Sequence, residues 1–210
     1  GLIALMAART MTSNPKMQPY LDKGHAWVAA GRPLSAGHPM LKLTIAIATY
    51  TQDQRPLPLR EKVAQTLRIA PFDARILSFC GWANLWCGHT QDAYDCFYKS
   101  LEFGSLGPFY VASLGGAATA CVQMGRDSEA LDLIERGLAL SDSYPTFFST
   151  KAASLAHLGR LDDAQAVLAR YRMLEPDRTL KTWSDTNNYG GSEGGKRYFE
   201  GLRMAGMPEE

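Results

Sequence analysis

The stretch 81-GWANLWCGHTQDAYDCFYKSLEF-103 decides the architecture. It reads as an apolar helix, a turn centred on Gly88, and a second, amphipathic helix carrying Ala93 and Phe97. Two later stretches repeat it: 116-GAATACVQMGRDSEALDLIERGLAL-140 and 151-KAASLAHLGRLDDAQAVLARYRMLEP-176. In all three a Gly precedes an Ala by five residues, as Gly88 and Ala93, Gly125 and Ala130, Gly159 and Ala164, and the glycines lie 37 and 34 residues apart. The Gly can leave the first helix in a left-handed conformation, and the small Ala lets the second helix approach it closely. Phe97, Ile134 and Leu168 then fill the interior of each hairpin. A single hairpin cannot bury its apolar face, so neighbours must stack.

The 34-residue period and these positions resemble the tetratricopeptide repeat (TPR). One repeat covers 74–107, with Leu77, Gly81, Ala93 and Phe97 at signature places. The next covers 111–144, with Leu114, Ala118 and Ala130, and a third covers 145–178, with Phe148, Ala152, Ala164 and Pro176. Asn84 stands where the family usually has an aromatic residue, and Tyr171 where it has Ala. Residues 40–73 read as a divergent repeat with Leu43, Tyr50, Val63 and Pro71 in register, its turn 51-TQDQRPLP-58 lacking the Gly. Residues 1–36 read as a degenerate first hairpin, with helices over about 2–11 and 17–30. The expected fold is an all-α, right-handed α-solenoid of stacked antiparallel helix hairpins closed by a C-terminal capping helix. After Pro176 the text turns polar and irregular over 179–189; Ser192 then starts a helix ending at Gly206, with Tyr198, Phe199 and Leu202 as its apolar stripe.

The tail 190-GGSEGGKRYFEGLRMAGMPEE-210, read with 78–103 and 154–176, resembles the C-terminal TPR region of certain bacterial proteins. In those proteins the repeats follow a class III adenylate cyclase domain or a winged-helix DNA-binding domain. The resemblance implies a regulatory or interaction module of a signalling protein, attached to an effector that these residues do not contain. A chain opening with Gly1 rather than Met is itself expected to be a processed or cut-down product.

Composition narrows the function from the other side. Apolar residues make up 46% of the 210, a folded composition, and a net charge of +1 provides no global pull toward nucleic acid or anionic membrane. The charge is uneven: residues 1–73 carry nine Lys/Arg against four Asp/Glu, residues 74–210 carry 13 against 17. The apolar opening 2–8 is far short of the ~20 residues of a membrane span. Cys80, Cys87, Cys96 and Cys121 form no C-x-x-C pair. Cys80 and Cys87 would sit roughly 10 Å apart along a helix, too far for a disulfide. Reduced, mostly buried thiols point to the cytoplasm.

Nothing in the sequence assembles into catalytic machinery. Gly190, Gly195 and Lys196 spell G-x-x-x-x-G-K, but Arg197 replaces the magnesium-binding hydroxyl and no strand leads in, which rejects a phosphate loop. Asp162–Asp163 and Asp127 with Glu129 open second helices, where acidic residues suit the helix dipole and are expected to be solvated. His25, His38, His89 and His157 fall on separate hairpins. The reading is therefore no enzyme, no cofactor and no metal in this chain, and a protein or peptide partner.

In stacked TPR hairpins the first helices line a concave groove. Carried onto this register, the groove residues are Arg75, Ser78, Trp82, Trp86, Thr119, Gln123, Ser149 and His157. Trp82 and Trp86, four apart and on one helix face, are the candidate anchors of that groove, the alternative being that they pack against the upstream repeat. The Lys and Asn set with which chaperone-binding TPR domains clamp a carboxylate is missing. The weak first hairpin leaves an end of the kind through which solenoids dimerise, so a homodimer is a further expectation.

Overall fold

The computed structural model describes residues 18–31, 33, 37–53, 56–186 and 191–210, and divides the chain into two compact units, Gly1–Pro71 and Phe72–Glu210. The helix expected over 2–11 lies outside the described residues. Among the described residues there is no strand.

The first unit holds α1 (Gln18–Gly31), α2 (Pro39–Asp53) and α3 (Pro56–Ile69). Pro39 and Pro56 each occupy a first helical position, where the missing N–H removes no intrahelical bond. His38 adds a cap, its Nδ1 accepting from the Leu41 N–H. α2 packs on α3, and Leu43, Tyr50 and Val63 are buried.

The second unit is built of three hairpins: α4 (Ala74–Trp86) with α5 (Thr90–Phe103), α6 (Pro108–Gln123) with α7 (Asp127–Leu138), and α8 (Pro145–His157) with α9 (Leu161–Leu174). Each turn is the same Schellman motif. Gly88, Gly125 and Gly159 have φ of 77°, 78° and 76°. The residue after each Gly donates its N–H five positions back, His89 to Asn84, Arg126 to Cys121 and Arg160 to Leu155, at 2.8–2.9 Å. Gly206 closes the last helix the same way at φ 95°. Ala93, Ala130 and Ala164 are buried where the helices cross, with Phe97, Ile134 and Leu168 behind them.

Stacking uses further glycines. A Cβ on Gly81 would lie 2.6 Å from the Phe97 ring and one on Gly116 closer still, so α4 and α6 close on that ring from two sides. Phe147 fits the same way against Gly137. The first helices, α4, α6 and α8, form an inner row, each touching the next, with α5, α7 and α9 outside. Polar contacts reinforce the stack: the Ser100 hydroxyl donates to the Ala74 carbonyl at 2.7 Å, and the Tyr94 and Tyr98 hydroxyls both donate to Glu129.

The terminal segment is not irregular throughout. Leu180–Thr186 forms a short helix, α10, whose start is held by Thr179 accepting from the Thr182 N–H, and α11 spans Glu193–Met204. Trp183 of α10 stacks on Tyr171 of α9, with centroids 5.9 Å apart and planes 14° from parallel. The aromatic residue found where the family has Ala is thus the surface on which the end of the solenoid is covered. Past Gly206 the tail returns, and the carbonyls of Pro208 and Glu209 accept from the Leu180 and Lys181 N–H groups.

Candidate functional site

The inner row explains where a site can be. Residues 76–86 of α4 and 113–123 of α6 are buried all round, and α6 reads PFYVASLGGAATACVQ with almost no polar face. A helix apolar on every side needs a neighbour on every side. For α6 and α8 the neighbour on the inner side is α11, which packs on both. It covers the last repeat from within and reaches the one before.

α11 is a self-contained amphipathic helix. The Ser192 hydroxyl caps it by accepting from the Gly195 N–H at 3.0 Å, and Gly206 ends it. Gly195, Tyr198, Phe199, Gly201 and Leu202 are buried, while Glu193, Lys196, Glu200 and Arg203 face solvent. Four residues at helical spacing, Gly194, Arg197, Tyr198 and Gly201, make its contacts with the inner row.

Arg197 docks where α6 ends and α7 begins. Its guanidinium meets both Asp127 oxygens, Nη1 to Oδ1 at 3.1 Å and Nη2 to Oδ2 at 2.6 Å, and also donates to the Val122 carbonyl. The side chain of Asp127 is 7% exposed and that of Arg197 28%. A cation at carbonyls ending one helix, and an acid in the first turn of the next, both match the helix dipoles. Tyr198 is fully buried against α8. Its hydroxyl donates to Ser149 Oγ at 3.1 Å and lies 3.3 Å from Thr150 Oγ1. Thr150 in turn lies 3.1 Å from Thr119 Oγ1, which donates to the Gly115 carbonyl. Burial pushes the Tyr198 phenol up to about 12, so it stays a neutral donor at physiological pH.

The glycines of α11 serve close approach. A Cβ on Gly201 would lie 2.7 Å from His157 Nε2 and 2.9 Å from the Ala153 carbonyl oxygen, and one on Gly194 would lie 2.9 Å from Gln123 Cβ. His157 Nε2 is 2.9 Å from the Arg197 carbonyl oxygen. Gly194, within the Gly-rich run that mimics a phosphate loop, thus serves close packing, and Lys196 pairs with Glu193.

The eight groove residues expected from the sequence separate into three groups. Thr119, Gln123, Ser149 and His157 lie at or directly behind the α11 contact, with Gln123 Oε1 accepting from the Thr90 hydroxyl at 2.7 Å. Arg75 is exposed but ion-paired with Asp73, the cap of its own helix, at 3.0 Å. Ser78, Trp82 and Trp86 are interior; the tryptophans are 5% and 1% exposed, and Trp82 meets the Phe97 ring edge-on at 5.4 Å. The exposure that anchors need is absent, because the apolar α4 uses both tryptophans as core.

The sequence reading missed Asp127, Thr150, Arg197 and Tyr198. Asp127 is buried rather than solvated, and Glu129 is half-buried, taking the two tyrosine hydroxyls. The available signal was the 0, 3, 4, 7 spacing of small, Arg, Tyr and small residues in α11, matched to an α6 without a polar face.

None of the four cysteines is disulfide-bonded; burial raises the thiols of Cys80, Cys96 and Cys121, with Cys96 up to about 11. Among the described residues no cluster of His, Cys, Asp and Glu could hold a metal ion, and no helix is long and apolar enough to cross a membrane.

Comparison with known proteins places the fold. No protein-family model matches the sequence, and no curated protein matches it. Solved structures do. A thermophilic TPR protein of Thermus thermophilus, TTC0263, superposes with a TM-score of 0.58 at 17% identity, over 88% of this chain and 92% of that one. The structure described as MamA MSR-1 C2 gives 0.56 at 19% identity, over 76% and 97%. YrrB, described as a TPR protein with an unusual peptide-binding site, gives 0.53 at 17% identity, over 85% and 90%. At these identities the likeness establishes a TPR-type solenoid.

Proposed function

We propose, from the premise of a TPR-type solenoid, that this chain is a non-catalytic protein-interaction module whose inner face receives a helix. One observation carries the reading: the faces of α6 and α8 already hold an amphipathic helix by an ion pair, a hydroxyl network and glycine-mediated contact. An inner face so equipped takes a peptide or helical partner, and YrrB is described as having a peptide-binding site. The balanced charge argues against direct nucleic-acid binding, and four cysteines without a disulfide suit a reducing compartment such as the cytoplasm.

A second reading rests on the tail. Residues 190–210, which include the groove-filling helix, also carry the resemblance to repeats attached to bacterial adenylate cyclases and winged-helix regulators. In that reading the module is the regulatory arm of a linked effector, cyclic-nucleotide synthesis or DNA binding being carried by that effector. Capture of a partner by the purified chain, followed by crosslinking mass spectrometry, tests the main reading. Crosslinks on α4, α6 and α8 support it. Crosslinks confined to α5, α7 and α9, or ATP turnover by the chain itself, contradict it.

A further inference from the structure

The way α11 is held defines what else could sit in its place. Three of its partners keep a bond when it leaves: Ser149 donates to the Thr146 carbonyl at 3.2 Å, Thr150 lies by Thr119, and Gln123 holds Thr90. Asp127 loses its cation, and His157 Nε2 loses the Arg197 carbonyl oxygen. α11 is also an incomplete occupant, since Gln123 Nε2 is buried without a hydrogen-bond partner beside the contact with Gly194. A buried donor left unmade is costly and would be relieved by a ligand offering an acceptor there.

We propose that the inner face of α6 and α8 is a binding site for a partner helix presenting small, Arg, Tyr and small residues at 0, 3, 4 and 7, and that α11 is the resident competitor for it. The proposal rests on the interaction-module reading and names its ligand class. Asp127 and the Val122 carbonyl select the guanidinium. Ser149 and Thr150 select the phenol. The close approach at Gln123 and His157 rejects any bulky side chain at the two outer places, so specificity comes from exclusion as much as attraction. Occupancy by α11 lowers the apparent affinity for any helix in trans by the fraction of chains in which α11 is released.

The test uses the full chain and a synthetic peptide of residues 191–210. Arg197→Ala weakens α11 from its own side and leaves Asp127 intact. Gly201→Leu, whose side chain would run into the Ala153 carbonyl, displaces α11 by sterics. Both variants should bind the peptide at least tenfold more tightly than the wild-type chain, and adding Asp127→Asn to Arg197→Ala should remove that gain. Where a variant melts too low to titrate, the peptide must raise its melting midpoint. Failure of the peptide to bind either variant or to raise its midpoint overturns the proposal and makes α11 a fixed part of the core. Size-exclusion chromatography showing that the variants instead exchange α11 between two copies overturns the choice of occupant. Partner crosslinks on α4 but not on α6 or α8 would leave the interaction module standing while this site falls; peptide binding without any partner capture would do the reverse.

Discussion

Replacing Arg197 with Ala strips Asp127 of its cation and leaves a carboxylate with 7% exposure facing the groove. Exposed ion pairs contribute about 0–1 kcal/mol, whereas breaking a buried pair costs about 3–5 kcal/mol. With Asp127 interior and Arg197 28% exposed, the pair lies toward the buried end, and a loss of about 2–3 kcal/mol is expected. Asp127→Ala should cost less, about 1–2 kcal/mol, because the guanidinium keeps the Val122 carbonyl and its access to water. Amide hydrogen exchange over Glu193–Met204 reads the effect where it acts. At about 1.4 kcal/mol per decade, Arg197→Ala should speed exchange in α11 roughly 30- to 150-fold. The double variant should then be no more labile than Arg197→Ala alone. An exchange rate within about threefold of wild type, or a larger cost for Asp127→Ala, would refute the claim that a buried carboxylate holds this helix.

Gly201→Ala places a Cβ 2.9 Å from the Ala153 carbonyl oxygen, which cannot turn aside, so a loss of about 1–3 kcal/mol is expected. The melting midpoint should fall by roughly 3–10 °C, while Gly191→Ala, with open space around its Cβ, leaves it unchanged. Trp86→Ala removes a fully buried ring and should cost about 3–5 kcal/mol with loss of helical signal on mild heating. Lost partner capture with an unchanged melt would restore Trp86 as a surface anchor. Glu129 offers a pH test: burial pushes its carboxyl up, but the Tyr98 and Tyr94 hydroxyls and Arg126 outweigh that and hold it below the usual value. A depressed folded value means the stabilisation is complete above the unfolded value and fades as pH falls through the folded one. Glu129→Gln should therefore flatten the fall in urea midpoint below about pH 4.3, and parallel curves for the two proteins would contradict it.

The hairpins were legible because everything that makes them is local. Gly88, Gly125 and Gly159 each close a hydrogen-bonded loop within five residues, and the Ala five positions on lies at the crossing it permits. The short helix α10 was not legible. Its seven residues are too few for a periodic pattern, and Trp183 is held by rings of other helices, Tyr171 of α9 and Tyr198 and Phe199 of α11. The sequence puts Trp82 and Trp86 on one helix face but leaves groove and core both open, since four-residue spacing shows that two rings share a face and does not show what covers it.

Local pattern along the chain is enough to specify the stacked hairpins, their register, and the row of inner-helix positions that includes Thr119, Gln123, Ser149 and His157. That this row is filled, and by what, emerges only once the helices are packed in three dimensions. Arg197 meets Asp127 across 70 residues of chain, and Gly201 meets His157 across the packing of one helix on another. A helical face encodes the kind of surface it will bury against. Which surface it reaches depends on where the intervening hairpins carry it.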